Sequence, residues 1–186
     1  MSKSKMTYPM AYPMSDNWYS ISPSSSPTNY FSVQDTGTAA QLSATFEITN
    51  TPAINSDWQF IASTPNDVYY IRNHDMGPDV QLTVTTTNLQ QYLGEPVNVY
   101  TVNFATANDS DPNQQWLLQP TQSLFFIRSY GPPRGYLTDM SPWFGSNEYN
   151  AGGLWILGPR GTITETAFTN TTTPVSNPFY YIPTLA

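Results

Sequence analysis

The sequence predicts an all-β fold of three units with four short strands each, and three observations carry that expectation. Aromatic residues make up 15% of the chain, with 13 Tyr, 9 Phe and 5 Trp; aromatic and β-branched side chains suit a pleated, half-buried surface. Seventeen Pro and ten Gly in 186 residues interrupt the chain every few positions, which leaves little room for a helix beyond about ten residues. The third observation is a recurrence: a Trp, a pair of aromatics and a Leu return in the same order at similar offsets.

Taken in order, residues 1–16 read as a flexible arm. Tyr-Pro-Met occurs twice, at Tyr8-Pro9-Met10 and Tyr12-Pro13-Met14, and a residue before proline is driven to extended backbone. The first unit starts at Trp18-Tyr-Ser-Ile and continues through Tyr30-Phe-Ser-Val and Gln41-Leu-Ser-Ala to Phe46-Glu-Ile-Thr. The second runs Trp58-Gln-Phe-Ile, Tyr69-Tyr-Ile-Arg, Gln81-Leu-Thr-Val and Val97–Val102. The third runs Trp116-Leu-Leu-Gln, Phe125-Phe-Ile-Arg, Tyr136-Leu-Thr-Asp and Leu154-Trp-Ile-Leu. From each Trp to the β-branched residue of the next strand the offsets are 15, 13 and 11 (Val33, Ile71, Ile127). From there to the Leu of the third strand they are 9, 11 and 10 (Leu42, Leu82, Leu137).

Short segments bounded by Gly, Pro, Asn and Ser are hairpin strands. A repeat near forty residues built of four of them points to a repeated architecture. Twelve strands in three units is the count of a β-trefoil, and a closed sheet protects a chain that has few charges to guard its edges. The longer middle unit places an insertion at Thr85–Pro96. The expected organisation is an arm at 1–16, a trefoil at 17–158, and a tail at 159–186 that packs on or closes it.

Composition also excludes functions. The net charge is −7, with six Lys plus Arg, and phosphate recognition needs clustered cations, so nucleic acid is not an expected partner. No run approaches the roughly 20 apolar residues of a bilayer span, so membrane insertion is not expected. There is no Cys, hence no disulfide framework and no thiolate metal site. The N-terminus lacks a signal-peptide apolar stretch, and the expected location is the cytoplasm. Charged residues are only 10%, so Ser, Thr, Asn and Gln must build a hydrogen-bonding surface. The Tyr/Phe content and apolar tail favour self-association as a homodimer.

Enzymatic chemistry finds little footing. The single His, His74, sits in the turn Asn73-His-Asp-Met-Gly and reads as a solvated turn residue. Asp109 and Asp111 read as solvated or turn-forming acids, and they lack the Gly and terminal Glu of a calcium loop. No cofactor is implied.

The stretch Asn113-Gln-Gln-Trp116, followed by Ile127-Arg128-Ser129 and Tyr136-Leu137-Thr138, resembles the ricin-B-type β-trefoil lectins, the QxW family, and in particular its fungal cytoplasmic members. Asn55-Ser-Asp-Trp58 and Ser15-Asp-Asn-Trp18 are looser matches, so the resemblance spans roughly residues 15–158. It implies a non-enzymatic, glycan-binding protein in which Trp58 and Trp116 fill the core near a pseudo-threefold axis. In that family the pocket takes an Asp just after the third-strand Leu, an aromatic from the following strand, and the Asn before QxW. Here the post-Leu positions are Ser43, Thr83 and Thr138, so the Asp is absent from all three. Unit two retains Tyr100 with Asn113 and Gln114. Unit three offers Asp139, one position late, with Trp143 and Asn150, and Trp155 nearby.

In the family each QxW strand closes a unit, whereas Trp18 precedes unit one here. Either the strand at Trp18 closes the third unit beside Trp155, or Gly161–Phe168 closes it and Trp18 acts as a lid. Two other function classes compete with the lectin reading. One is a protein-binding trefoil such as a protease inhibitor, using Thr85–Pro96 or the loop Tyr130-Gly-Pro-Pro-Arg134-Gly. The other is an abundant structural or storage protein.

Overall fold

A computed structural model of the chain describes residues 12–34, 45–63, 67–92, 95–139, 143–145 and 153–163. The expected strand Gln41–Ala44, most of the arm, Asn150 and the tail beyond 163 lie outside the described residues. Among the described residues there are twelve strands and two 3-10 turns, numbered in chain order. Six strands form a closed antiparallel ring: β1 (Asn17–Pro23), β4 (Trp58–Ala62), β5 (Val68–Asn73), β8 (Gln115–Thr121), β9 (Leu124–Ser129) and β12 (Leu154–Thr162). Each pairs with the next, β9 pairs with β12, and β12 pairs with β1, which closes the circle. The other six make three hairpins: β2 (Tyr30–Gln34) with β3 (Thr45–Thr49), β6 (Val80–Tyr92) with β7 (Glu95–Thr106), and β10 (Tyr136–Leu137) with β11 (Phe144–Gly145).

Period-two alternation decides what fills the ring. Ile21, Phe60, Ile71, Leu118 and Ile127 point inward and are fully or almost fully buried. Phe60 lies directly opposite Ile71, and Leu118 opposite Ile127, so each cross-strand pair contributes one apolar layer. Above this lies an aromatic cluster centred on Phe31. Its ring stacks on Phe46 at 5.0 Å and on Trp58 at 5.1 Å, and meets Trp155 at 5.6 Å. Phe104 completes the layer, 5.7 Å from Phe46 and 6.2 Å from Trp58. Offset aromatic contacts of this kind add to the area buried.

Part of the expected arm is docked. Ser15 accepts a hydrogen bond from Gln59 Nε2 at 2.8 Å through its carbonyl and from the Ala62 N–H at 3.0 Å through its hydroxyl. Met14 N–H donates to the Tyr19 hydroxyl at 2.8 Å, and the Tyr12 ring lies 5.9 Å from Phe125. Residues 12–16 thus seal one end of the barrel. Burial, with Asp67, Tyr12 and Tyr19 nearby, pushes the Tyr69 hydroxyl up to about 12. Tyr12 is raised as well, by burial first and then by the charge and hydrogen bond of Asp67.

Three expectations about the strands need correction. Trp18, at 6% exposed, does not belong with Trp58 and Trp116; the third tryptophan with no exposed surface is Trp155. Trp18 lies on the outside of the ring, one position away from the inward set, stacked on His74 at 4.4 Å. Thr85–Pro96 is not a loop insertion but the extension of one hairpin, whose strands are 13 and 12 residues long. β12 continues through Thr162, beyond the expected boundary at 158, because Asn17 and Trp18 pair with Thr162 and Gly161. Of the two ways of closing the third unit, the strand carrying Trp18 is the one found beside β12, with Pro23 opposite Trp155.

Candidate functional site

The hairpins are tied to the barrel by three indole hydrogen bonds of one kind. Trp58 Nε1 donates to the Phe31 carbonyl at 2.8 Å, Trp116 Nε1 to Leu82 at 2.9 Å, and Trp155 Nε1 to Leu137 at 3.0 Å. A buried indole N–H needs an acceptor, and these bonds give the hairpins a common register. The residue after each acceptor is Ser32, Thr83 or Thr138, all buried. The first of these is therefore Ser32 and not Ser43. One residue further on, the three positions carry Val33, Val84 and Asp139. Val33 and Val84 are 1% and 5% exposed. Asp139 is half-buried and reaches the surface.

Asp139 and Trp143 are brought together by the β10–β11 turn, where the Thr138 N–H donates to the Trp143 carbonyl at 3.0 Å. Trp143 adopts φ 65°, a left-handed conformation that is costly for a bulky residue. Its ring is half-buried, 5.6 Å from Phe31 and 6.4 Å from Phe46. Asp139 Oδ2 accepts a hydrogen bond from Ser25 Oγ at 3.2 Å, in an exposed position. Ser25 belongs to the β1–β2 connection, which is pinned by Ser24 N–H donating to the Leu154 carbonyl at 2.9 Å. This end of the third hairpin, its mouth, carries one carboxylate bonded to a hydroxyl from the β1–β2 connection, with Trp143 on the same hairpin. Ser25 was not legible in the sequence, because its partner lies 114 residues away.

Of the unit-two candidates, Gln114 is engaged within the fold. Gln114 is 2% exposed, and its amide is used at both ends: Oε1 accepts from the Asn108 N–H at 2.9 Å and Nε2 donates to the Thr106 carbonyl at 3.0 Å. It ties a loop to the end of β7. Asn113 lies in the 3-10 turn Pro112–Gln114, with its N–H on Asp111 Oδ1 at 2.9 Å and its carbonyl accepting from Thr83 Oγ1 at 3.4 Å. Tyr100 in β7 has its ring contact with Phe144 of the third hairpin, at 6.3 Å. Asp111 is turn-forming, as its residue type predicts, and Asp109 Oδ1 accepts from Gln81 Nε2 at 3.1 Å. Asn150 lies outside the described residues.

His74 is not a solvated turn residue. Its side chain is 13% exposed, enclosed between the Trp18 ring and Asp57, with Nδ1 3.8 Å from Asp57 Oδ2. Asp57 is also held by Arg160 Nε at 3.0 Å, and the Arg160 guanidinium lies over the Tyr30 ring. This cluster locks β12 against β4 and β5 at the ring seam. Among the described residues, no group of three or more His, Asp or Glu is arranged to hold a metal ion.

No family model matches the chain, and no curated protein matches it in sequence. Its structure is similar to a Polyporus squamosus lectin bound to the epitope Neu5Acα2-6Galβ1-4GlcNAc, with a TM-score of 0.59 at 14% identity, over 81% of this chain and 51% of that one. It is also similar to the BEL β-trefoil, with a TM-score of 0.55 at 13% identity, over 83% of this chain and 99% of that one. The fold is a β-trefoil. Cry35Ab1 is similar too, with a TM-score of 0.55 at 14% identity, over 91% of this chain and 41% of that one. The chain therefore spans about half the length of the Polyporus lectin and less of Cry35Ab1. At these identities the likeness concerns the trefoil itself and not the residues of a site.

Proposed function

We propose that this β-trefoil is a non-enzymatic carbohydrate-binding protein whose glycan site is the mouth of the third hairpin. The observation that carries the proposal is the change from Val33 and Val84 to Asp139 at one register, with Ser25 and Trp143 beside it. Sugar recognition needs fixed polar groups for hydroxyls and an aromatic surface for the C–H side of the ring. In this reading Asp139 and Ser25 accept and donate to vicinal hydroxyls, and the exposed edge of Trp143 meets the ring. The other two mouths are closed by valine, so the protein binds one glycan per chain.

The reading takes the chain as three four-stranded units, β1–β4, β5–β8 and β9–β12, related by the indole hydrogen bonds. The likeness to a lectin bound to a sialylated N-acetyllactosamine supports carbohydrate as the ligand class. The cysteine-free, weakly charged composition supports a cytoplasmic setting.

A glycan array followed by calorimetry on the best glycan tests this. Wild-type protein is expected to bind with a Kd near the millimolar range, as suits a site worth about 4 kcal/mol, and Asp139→Ala to abolish binding while leaving thermal unfolding unchanged. Absence of binding to every glycan, or binding indifferent to Asp139→Ala, overturns the site.

A further inference from the structure

The second hairpin is far longer than its two counterparts. Its strands run 13 and 12 residues, against 5 and 5 in the first hairpin and 2 and 2 in the third. Its base belongs to the core: Val80, Leu82 and Val84 of β6 and Val102 and Phe104 of β7 are buried. Thr85 is half-buried, with its hydroxyl 2.9 Å from that of Thr101, and Thr86 is exposed. Backbone pairing continues past that point to Tyr92 opposite Glu95. The stretch from Thr87 to Tyr92 lengthens the strand by about 20 Å. Among the described residues β6 pairs with β7 and with no other strand, so the two form a sheet of their own. A two-stranded ribbon is marginal in water, and further strands stabilise it.

The outer edge of such a ribbon presents a row of N–H and C=O groups, a template for another strand. Proteins blunt edges with charge and proline. β7 does so, because it opens with Glu95-Pro96. β6 does not: Val-Gln-Leu-Thr-Val-Thr-Thr-Thr-Asn-Leu-Gln-Gln-Tyr holds no charge and no proline. It is also rich in the β-branched residues that suit a strand. Acids stand only on either side of it, at Asp79 and Glu95. What this edge accepts is an extended, uncharged, β-branched segment, and β6 is itself such a segment. Antiparallel pairing of two β6 strands about a twofold axis brings identical rows of donors and acceptors together, so the contact is self-complementary. The net charge of −7 sets two copies against each other, but none of it lies within the strand, so the repulsion is long-range and open to screening by salt.

We propose that the β6 edge joins two copies of this chain, giving a four-stranded antiparallel sheet in the order β7-β6-β6-β7. Thr86 is the middle residue of β6 and lies nearest the twofold axis. The surface is separate from the glycan site, which lies at Asp139 and Ser25 on other elements.

The test is sedimentation velocity on the full chain from about 1 to about 200 μM, with hydrogen exchange followed at the same concentrations. Wild-type protein is expected to dimerise with a Kd of about 10 μM. Amides of 80–92 should exchange more slowly as the dimer fills, while those of 95–106 stay unchanged. Thr86→Lys sets like charges across the axis and should weaken the dimer by at least about 10-fold. Raising salt from about 0.05 to about 0.5 M should tighten it, because net repulsion is screened. A chain that stays monomeric throughout overturns the proposal. So does a dimer that salt weakens, or one that forms with no concentration-dependent protection in 80–92. The exchange readout uses wild-type protein, so it decides the matter even if Thr86→Lys disturbs the hairpin.

Discussion

The first and third hairpins solve the same attachment problem and reach opposite outcomes at their mouths. In both, a barrel tryptophan donates its indole N–H to the hairpin backbone, to Phe31 in one and Leu137 in the other. In both, the next residue is a buried hydroxyl, Ser32 or Thr138. They diverge one residue later. Val33 is buried and extends the core, while Asp139 turns to the surface and takes Ser25 as partner. Conserving the attachment and varying the residue beside it lets one scaffold hold both a sealed and a polar mouth. The comparison separates what the fold requires from what a ligand would require.

The strongest way to break the comparison is to exchange the two residues. Val33→Asp places an unpaired carboxylate in the core and should cost on the order of 3–5 kcal/mol, read as a large fall in the urea midpoint. A small loss there would mean that the first mouth can open, and the contrast with the third would fail. Removing the shared attachment comes next. Trp155→Phe strips the Leu137 carbonyl of its donor and leaves a gap beside Phe31, for an expected loss of about 2–3 kcal/mol. Trp116→Phe should cost a similar amount if the attachments are equivalent, so a disparity between the two variants by thermal unfolding would show that they are not.

The barrel floor gives a pH dependence that should leave both mouths untouched. Tyr69 is raised from 10.0 to about 12 in the folded chain. Its stabilising contribution is complete below pH 10 and is lost as pH rises from 10 toward 12. The unfolding midpoint should thus fall over that interval, and Tyr69→Phe should flatten the fall. An unchanged profile in the variant would assign the alkaline loss to other groups. The smallest effect is expected for Asp139→Val, which copies the first mouth onto the third. Stability should change by less than about 0.5 kcal/mol, because the carboxylate is partly solvated and its serine partner is exposed.

The sequence made the strands legible wherever apolar residues alternate, as in Phe60 with Ile71 and Leu118 with Ile127. It also marked Trp58 and Trp116 as interior. It misled at Trp18, because a Trp followed by alternating apolar residues reads the same on either face of a barrel. Only the pairing partner, Gly161 for Trp18 and Pro23 for Trp155, distinguishes the two. It misled at Thr85–Pro96 for a related reason. Polar Thr and Asn residues read as loop, yet backbone pairing with the facing strand makes them a hairpin. His74 looked solvated because its neighbours in sequence are turn residues, whereas Trp18 and Asp57 enclose it from elsewhere in the chain.

At the candidate site the division is sharper. Asp139 and Trp143 are four residues apart and could be singled out from sequence, but Ser25 could not. Gln114 has the residue type of a ligand contact, and burial assigns it to the backbone instead.

By itself the sequence determined the class of the fold, the residues that fill it and the function classes a weakly charged, acidic, cysteine-free chain disfavours. Those properties follow from local periodicity and composition, which each segment carries with it. The tertiary structure decided which tryptophan joins the set and which mouth stays polar. Both depend on a partner far along the chain, and contacts closed by a barrel between residues more than a hundred positions apart leave no trace in local pattern.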